Sequence, residues 1–291
     1  MSTAPLHVVI AGAGPAAQAL VRRLTGNSAP RHALRPFAGT ITVLSNRDEC
    51  PEALLELAEL PQVSVRFGQA ASFIDPHARI VTTVDGLDFT YDQLVIATGS
   101  TPALPPVTGS TFGLNYSTID DAGAIGEAVK DATRVVGRRP LGILVGTGPA
   151  AGQAEAVLRA RGVRPVRTTL RPSAVVPSIA GSALPATGIL FEDGSSMNGD
   201  LVVLAEERTA CSELAESAGL VKSPDGGIAV GRDLATSVPG IWAIGDAASC
   251  DGLRLGLLLS AESSAMLCAS GLLAAAVAGS AAAAHQAHVA A

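Results

Sequence analysis

The chain has 291 residues, of which 48% are hydrophobic, 16% charged and only 3% aromatic, with a formal net charge of −6 at pH 7. That length buries a substantial core as one large or two medium α/β domains, while mild acidity and few aromatic rings exclude a phosphate-backbone groove or base-stacking platform, and with them nucleic acid as a partner. The four cysteines, Cys50, Cys211, Cys250 and Cys268, lie far apart and share no metal-ligand spacing with the five histidines, so the expectation is reduced, mainly structural thiols, no metal site and a cytoplasmic protein.

The first residues lack the basic segment and apolar core of a secretion signal, so export is not expected. Residues 7–11 are β-branched and uncharged, the pattern of a short buried parallel strand. They end at Gly12-Ala13-Gly14-Pro15-Ala16-Ala17, after which residues 18–24 carry apolar side chains at helical spacing. In such a strand, turn and helix the first glycine permits the tight turn, the second lets backbone approach a pyrophosphate, and the small third residue lets helix pack on strand. Amide N–H groups and the helix dipole then face an anion. A plain tight connection is the alternative reading of any one such turn.

Residues 27–39 read as a loop and 40–44 as the next strand, completing a βαβ unit that runs into Ser45 and Asn46. Residues 63–67 follow as a strand, then 72–75 and 79–84 as an antiparallel pair about a Pro76-His77 turn. Residues 91–99 run from a polar start through a buried strand to Ala97, Thr98 and Gly99. The proline-rich residues 101–109 form an ordered crossover, and 118–131 a helix.

Residues 141–145 repeat the first strand and lead into Gly146-Thr147-Gly148-Pro149-Ala150-Ala151, with a helix from 153 to 159 and a strand over 163–169 containing Arg167. Two such turns weigh far more heavily against a plain connection than one. Residues 171–187, starting at Arg171, show little periodicity and read as a loop; later strands are expected over 189–193, 201–205, 227–230 and 241–244. The last of these enters Gly245-Asp246-Ala247, where a carboxylate among small residues either accepts sugar hydroxyls or caps a helix. Residues 264–284 are uncharged and long enough to span a bilayer, but they are mostly Ala, Gly and Ser, so no membrane partner is expected.

Gly12 to Ala17, Tyr91 to Gly99, Gly146 to Ala151 and the stretch from Thr236 to Asp246, in this order, resemble the FAD-dependent pyridine-nucleotide oxidoreductase superfamily over nearly the whole chain. The resemblance implies two interleaved Rossmann-like domains with a three-layer α/β architecture: an FAD domain of residues 1–117 with 235–291, and a reduced NAD(P)-binding-like domain of 118–234. It leaves no room for the C-terminal dimerisation domain of larger relatives. It assigns Gly12, Gly14, Pro15, Ala16 and Ala17 to the FAD pyrophosphate, Ala97, Thr98 and Gly99 to the neighbourhood of the flavin nucleotide, and Gly245, Asp246 and Ala247 to the ribitol side. Ala71 matches the position whose backbone meets adenine. Gly146, Gly148, Pro149, Ala150 and Ala151 would take NAD(P), with Arg167 and Arg171 suited to a 2′-phosphate or to solvent.

The run from Asp92-Gln93-Leu94 through Ile119-Asp120-Asp121 is most similar to reductase subunits of assimilatory nitrate and nitrite reductases and to ferredoxin- or rubredoxin-type reductases. That implies electrons passing from NAD(P)H through FAD to a redox protein partner or larger reductase subunit. Five departures stand out. Ser45 and Asn46 occupy the place of the usual ribose-binding acid. Cys50 has no partner cysteine for a disulfide cycle, and the segment that would lie along the flavin is shortened. The nicotinamide half is also trimmed, and Glu206 and Glu207 replace its usual Ala-x-Gly strand exit, where their charge would repel an anionic cofactor. A degenerate, non-catalytic assembly or regulatory subunit, or an FAD protein reduced by a protein donor, are the alternatives these departures motivate. No residue stands out as catalytic, and no nucleophile elbow supports a hydrolase.

Overall fold

The computed structural model describes residues 6–26, 39–49, 52–177 and 187–289, with backbone alone at 53 and 276–289. It divides into two compact units, Met1–Ser100 with Ala210–Ala291, and Thr101–Thr209.

The first unit opens with β1 (Leu6–Ala11), α1 (Pro15–Leu24), β2 (Gly39–Leu44), α2 (Glu52–Ala58) and β3 (Val63–Arg66), continues into an antiparallel sheet of β4 (Ala71–Asp75), β5 (Ile80–Thr83) and β6 (Asp88–Thr90), and regains the main sheet at β7 (Gln93–Ile96). After a connecting strand β8 (Ser100–Pro102), the second unit contributes β9 (Leu114–Tyr116), α3 (Ala122–Val136), β10 (Leu141–Val145), α4 (Gly148–Ala160), β11 (Arg164–Thr168), β12 (Pro172–Pro177), β13 (Thr187–Phe191), β14 (Ser196–Gly199) and β15 (Leu201–Ala205). The chain returns through β16 (Arg208–Ala210), which pairs with β8. It ends in α5 (Leu214–Ser217), β17 (Ile228–Ala229), β18 (Ile241–Ala243), β19 (Ala248–Cys250), β20 (Leu253–Arg254) and α6 (Ala261–Val289).

The main sheet of the first unit is wholly parallel in the order β18-β7-β1-β2-β3. Val8, Val9 and Ile10 of β1 are fully buried, which accounts for an uncharged run without alternation: both faces of the strand are covered. Helix α1 starts at Pro15, whose missing N–H costs nothing in a first turn, and buries Ala17, Leu20, Val21 and Leu24. It packs along α6, whose Ala265, Cys268, Ala269 and Leu272 form a buried helical stripe. A Cβ on Gly271 would stand 2.5 Å from the Trp242 indole, whose Nε1–H donates to Gln93 Oε1 at 2.8 Å. The apolar segment of residues 264–284 thus lies in a helix packed on this unit, and among the described residues no helix is long and apolar enough to cross a membrane.

The second unit repeats the plan with the parallel order β11-β10-β15-β9. Ile143 and Val145 of β10, with Val202 and Leu204 of β15, face Val175, Ile189 and Phe191 of the antiparallel sheet β12-β13-β14, while α4 buries Ala150, Ala151, Ala154 and Leu158. Helix, parallel sheet and antiparallel sheet make three layers.

The compact units divide after Ser100 and Thr209: Leu114–Tyr116 pairs with β15 in the second unit, and Ile228–Ala229 pairs with β19 in the first. One expectation changes here. Residues 172–177, read as loop, form strand β12. It is an edge strand, where prolines at its ends interrupt no interior ladder.

Candidate functional site

The first glycine turn lies at the carboxyl ends of β1, β7 and β18, three neighbouring strands, which is where open α/β sheets bind ligands. Gly12 adopts φ +117°, and a Cβ there would stand 2.2 Å from the Ala97 carbonyl oxygen, so only glycine lets β1 turn this close to β7. Its N–H donates to Leu44 O at 2.8 Å, and Ala97 N–H donates to Ala11 O at 2.8 Å, fixing the turn between both neighbours. Gly14 precedes α1 with no side-chain cap, and a Cβ on it would meet nothing within 4 Å. The space beside Gly14 at the start of α1 is therefore open. Gln18 Nε2 donates to Ala13 O at 2.9 Å and braces the turn from within.

Gly245 closes the same end of the sheet with φ +64°, its missing Cβ 3.0 Å from Ala16 Cβ. Asp246 follows in a single 3-10 turn with the fully buried Ala247. The Asp246 carboxylate accepts from Ser100 Oγ at 2.7 Å and lies 3.6 Å from Arg254 Nη1. Both side chains of that ion pair are nearly buried, at 12% and 9% exposure, so a fixed negative group stands at the ends of β7 and β18. Ser100 and Arg254 carry no motif and are invisible in the sequence as parts of this constellation.

The second turn repeats the first at its base. Gly146 has φ +143°, and a Cβ there would stand 2.6 Å from the carbonyl oxygen of Ala205 on the neighbouring β15; its N–H donates to Thr168 O at 3.1 Å. The resemblance ends at the second glycine. Gly148 is left-handed at φ +66°, and a Cβ on it would lie 2.7 Å from Glu207 Oε1. Thr147, the residue before α4, does not cap the helix; its hydroxyl donates to Glu207 Oε1 at 2.8 Å. Arg167 Nε donates to Gly146 O at 3.2 Å, and its Nη1 lies 3.6 Å from Glu155 Oε2. The Arg159 hydrogen bond is the largest influence holding the Glu155 carboxyl below the usual carboxylate range. Glu206 turns the other way, toward Arg208.

The other expected residues have the following surroundings. Ser45 is buried and its Oγ accepts from Arg47 N–H at 3.1 Å, while Asn46 is exposed. Ala71 opens the separate antiparallel sheet. Thr98 Oγ1 donates to Cys211 O at 2.5 Å, and Gly99 O accepts from Cys211 N–H at 2.9 Å, so these two residues clasp the returning chain. Arg171 is exposed, and its carbonyl accepts from Glu192 N–H. Pro15 is exposed at the mouth of the first turn, whereas Pro149 is exposed beside Gly148. Cys211, Cys250 and Cys268 are free thiols, and burial pushes the Cys268 thiol up, which makes it inert; Cys50 lies outside the described residues. Among the described residues no group of His, Cys, Asp and Glu could hold a metal ion.

The chain is 30% identical over 221 residues to the assimilatory nitrate reductase electron transfer subunit of Bacillus subtilis (strain 168), covering 67% of this chain and 28% of that protein. It is 28% identical over 225 residues to the NAD(P)H nitrite reductase large subunit of Klebsiella oxytoca, covering 67% and 23%. It therefore spans about a quarter of the length of these relatives. The fold matches the crystal structure of the covalent putidaredoxin reductase–putidaredoxin complex with a TM-score of 0.53 at 21% identity, over 93% of this chain and 76% of that one. The sequence profile of the pyridine nucleotide-disulphide oxidoreductases matches residues 6–169 and 143–283, and the chain belongs to that family.

Proposed function

We propose that this chain is an FAD-binding oxidoreductase that takes electrons from NAD(P)H and passes them to a redox protein partner, of the nitrate or nitrite reductase kind. The observation that carries the reading is the convergence of Gly12, Gly14, Gly245 and Asp246 at one end of one sheet, with the Gly14 side open. Gly12, Gly14 and the first amides of α1 would hold the pyrophosphate, where a helix N-terminus and close backbone favour an anion. Asp246, held by Ser100 and Arg254, would accept hydroxyls of the ribitol chain. Bound flavin supplies the step from two-electron to one-electron chemistry, and the chain's own residues anchor and orient it. Ser45 is turned inward, so Asn46 is the side chain left for the adenosine ribose. The free thiols at Cys211, Cys250 and Cys268 support a reducing, cytoplasmic setting.

One observation favours a second reading, in which a protein donor replaces NAD(P)H: the Glu207 carboxylate seated on the second turn. Purification after expression with ample flavin tests the first premise, and the expected product is yellow. Anaerobic mixing with NADH and with NADPH then separates the readings. Bleaching of the flavin band supports the nicotinamide route, whereas a yellow protein that neither nucleotide reduces supports the protein donor. A colourless protein that takes up no FAD overturns both.

A further inference from the structure

We infer that the Glu207 carboxylate is a built-in competitor for the phosphates of a nicotinamide dinucleotide, so that the second glycine turn admits the nucleotide only when this side chain leaves. The inference rests on reading that turn as the family's nicotinamide cradle. Three features of the second unit carry it. First, Glu207 Oε1 lies 2.7 Å from where a Cβ on Gly148 would stand, so the carboxylate covers the glycine whose bareness would let backbone approach a pyrophosphate. Second, the carboxylate is held: the Thr147 hydroxyl donates to it at 2.8 Å, and in doing so leaves the start of α4 without its own side-chain cap. Third, the cation that could offset a phosphate there is already engaged, since Arg167 donates to Gly146 O and pairs with Glu155.

Comparison within the chain shows the device is local. Gly12 rests on the carbonyl of Ala97 as Gly146 rests on that of Ala205. Two residues past Ala97 stands Gly99, and two past Ala205 stands Glu207. The same turn therefore opens onto no side chain in one unit and onto a carboxylate in the other. Glu207 is exposed, so water screens its charge and its rotamers are within reach of solvent. A carboxylate so placed acts as a movable gate: it opposes the nucleotide by charge and by occupancy, and it is displaced at modest cost.

The test is direct binding of NAD+ and of NADP+, which carry the same pyrophosphate but cannot reduce flavin, to the whole chain by calorimetry. Glu207→Gln removes the charge and Glu207→Gly restores the pattern of the first turn. The expected result is about tenfold tighter binding in Glu207→Gln, equivalent to about 1.4 kcal/mol, and tighter still in Glu207→Gly. Thr147→Val, which frees the carboxylate without removing it, should gain about two- to threefold by the same arithmetic. Glu206→Gln, altering the carboxylate that faces Arg208, should change nothing. The inference is overturned when wild type binds both nucleotides as tightly as the Glu207 variants, or when Glu206→Gln gains as much as Glu207→Gln. Flavin absorbance on the same samples reports the first turn separately: a colourless chain whose Glu207→Gln variant still gains affinity overturns the FAD reading and leaves the gate standing.

Discussion

The two glycine turns are the same device built twice and finished differently. At the base they match: strand, glycine with positive φ, carbonyl of the adjacent strand against the missing Cβ, amide donated to the strand on the other side. At the rim they diverge. Gly14 keeps an extended conformation with open space beside it, and Gly148 is left-handed under the Glu207 carboxylate. The lesson is that packing alone requires the first glycine of each turn, Gly12 and Gly146, because no larger residue lets the strand pass its neighbour. On the function proposed above, the capacity to take a phosphate is decided by the residues around the turn. A glycine fingerprint thus reports an architecture more securely than it reports a ligand.

The largest effects should come from the shared base. Gly12→Ala places a Cβ 2.2 Å from a backbone carbonyl at φ +117°, and the expected loss is about 3 kcal/mol or more of stability, with flavin released. Gly146→Ala meets Ala205 O at 2.6 Å and should cost about 2–3 kcal/mol, yet leave flavin bound. Denaturant titration read by flavin fluorescence and by far-ultraviolet circular dichroism checks both. Flavin lost as completely from Gly146→Ala as from Gly12→Ala would erase the functional distinction between the turns.

Next in size is the acidic anchor of the first turn. Asp246→Ala takes from Ser100 its acceptor and from nearly buried Arg254 its carboxylate, with an expected cost of about 2 kcal/mol. Asp246→Asn, which keeps an acceptor for Ser100, should cost about half as much. Thermal unfolding and equilibrium dialysis of FAD measure these losses, and FAD affinity equal to wild type in Asp246→Ala would remove Asp246 from the site.

What the sequence makes legible follows from how local each cause is. Both turns, the buried strands before them and the alanine-rich helices after them are written in contiguous residues, since positive φ demands glycine and double burial demands an uncharged run. The short strand at Leu114–Tyr116 exists only through its pairing with β15, far along the chain, and shows no period of its own. Ser100 and Asp246 meet across 146 positions, and Thr98 meets Cys211 across 113; no spacing rule reaches that far. The two adjacent glutamates are an intermediate case. Their charge is plain in the sequence, but which one faces the turn depends on the chain leaving β15, where neighbouring side chains point to opposite sides; Glu206 goes to Arg208 and Glu207 to Thr147.

The smallest expected effect, a coupling between Gly148 and Glu207, is also the most specific to that seating. Gly148→Ala brings two costs: a left-handed φ of +66° for an L residue, and a Cβ 2.7 Å from Glu207 Oε1. Together they should amount to about 1–1.5 kcal/mol, because the carboxylate is exposed and swings away. In a Glu207→Gly background the second cost vanishes and the first remains, so the two substitutions should couple by about 0.5 kcal/mol in a double-mutant cycle of unfolding free energies. Strict additivity would mean that the carboxylate spends its time elsewhere, and the two turns would then differ in sequence but present the same open face.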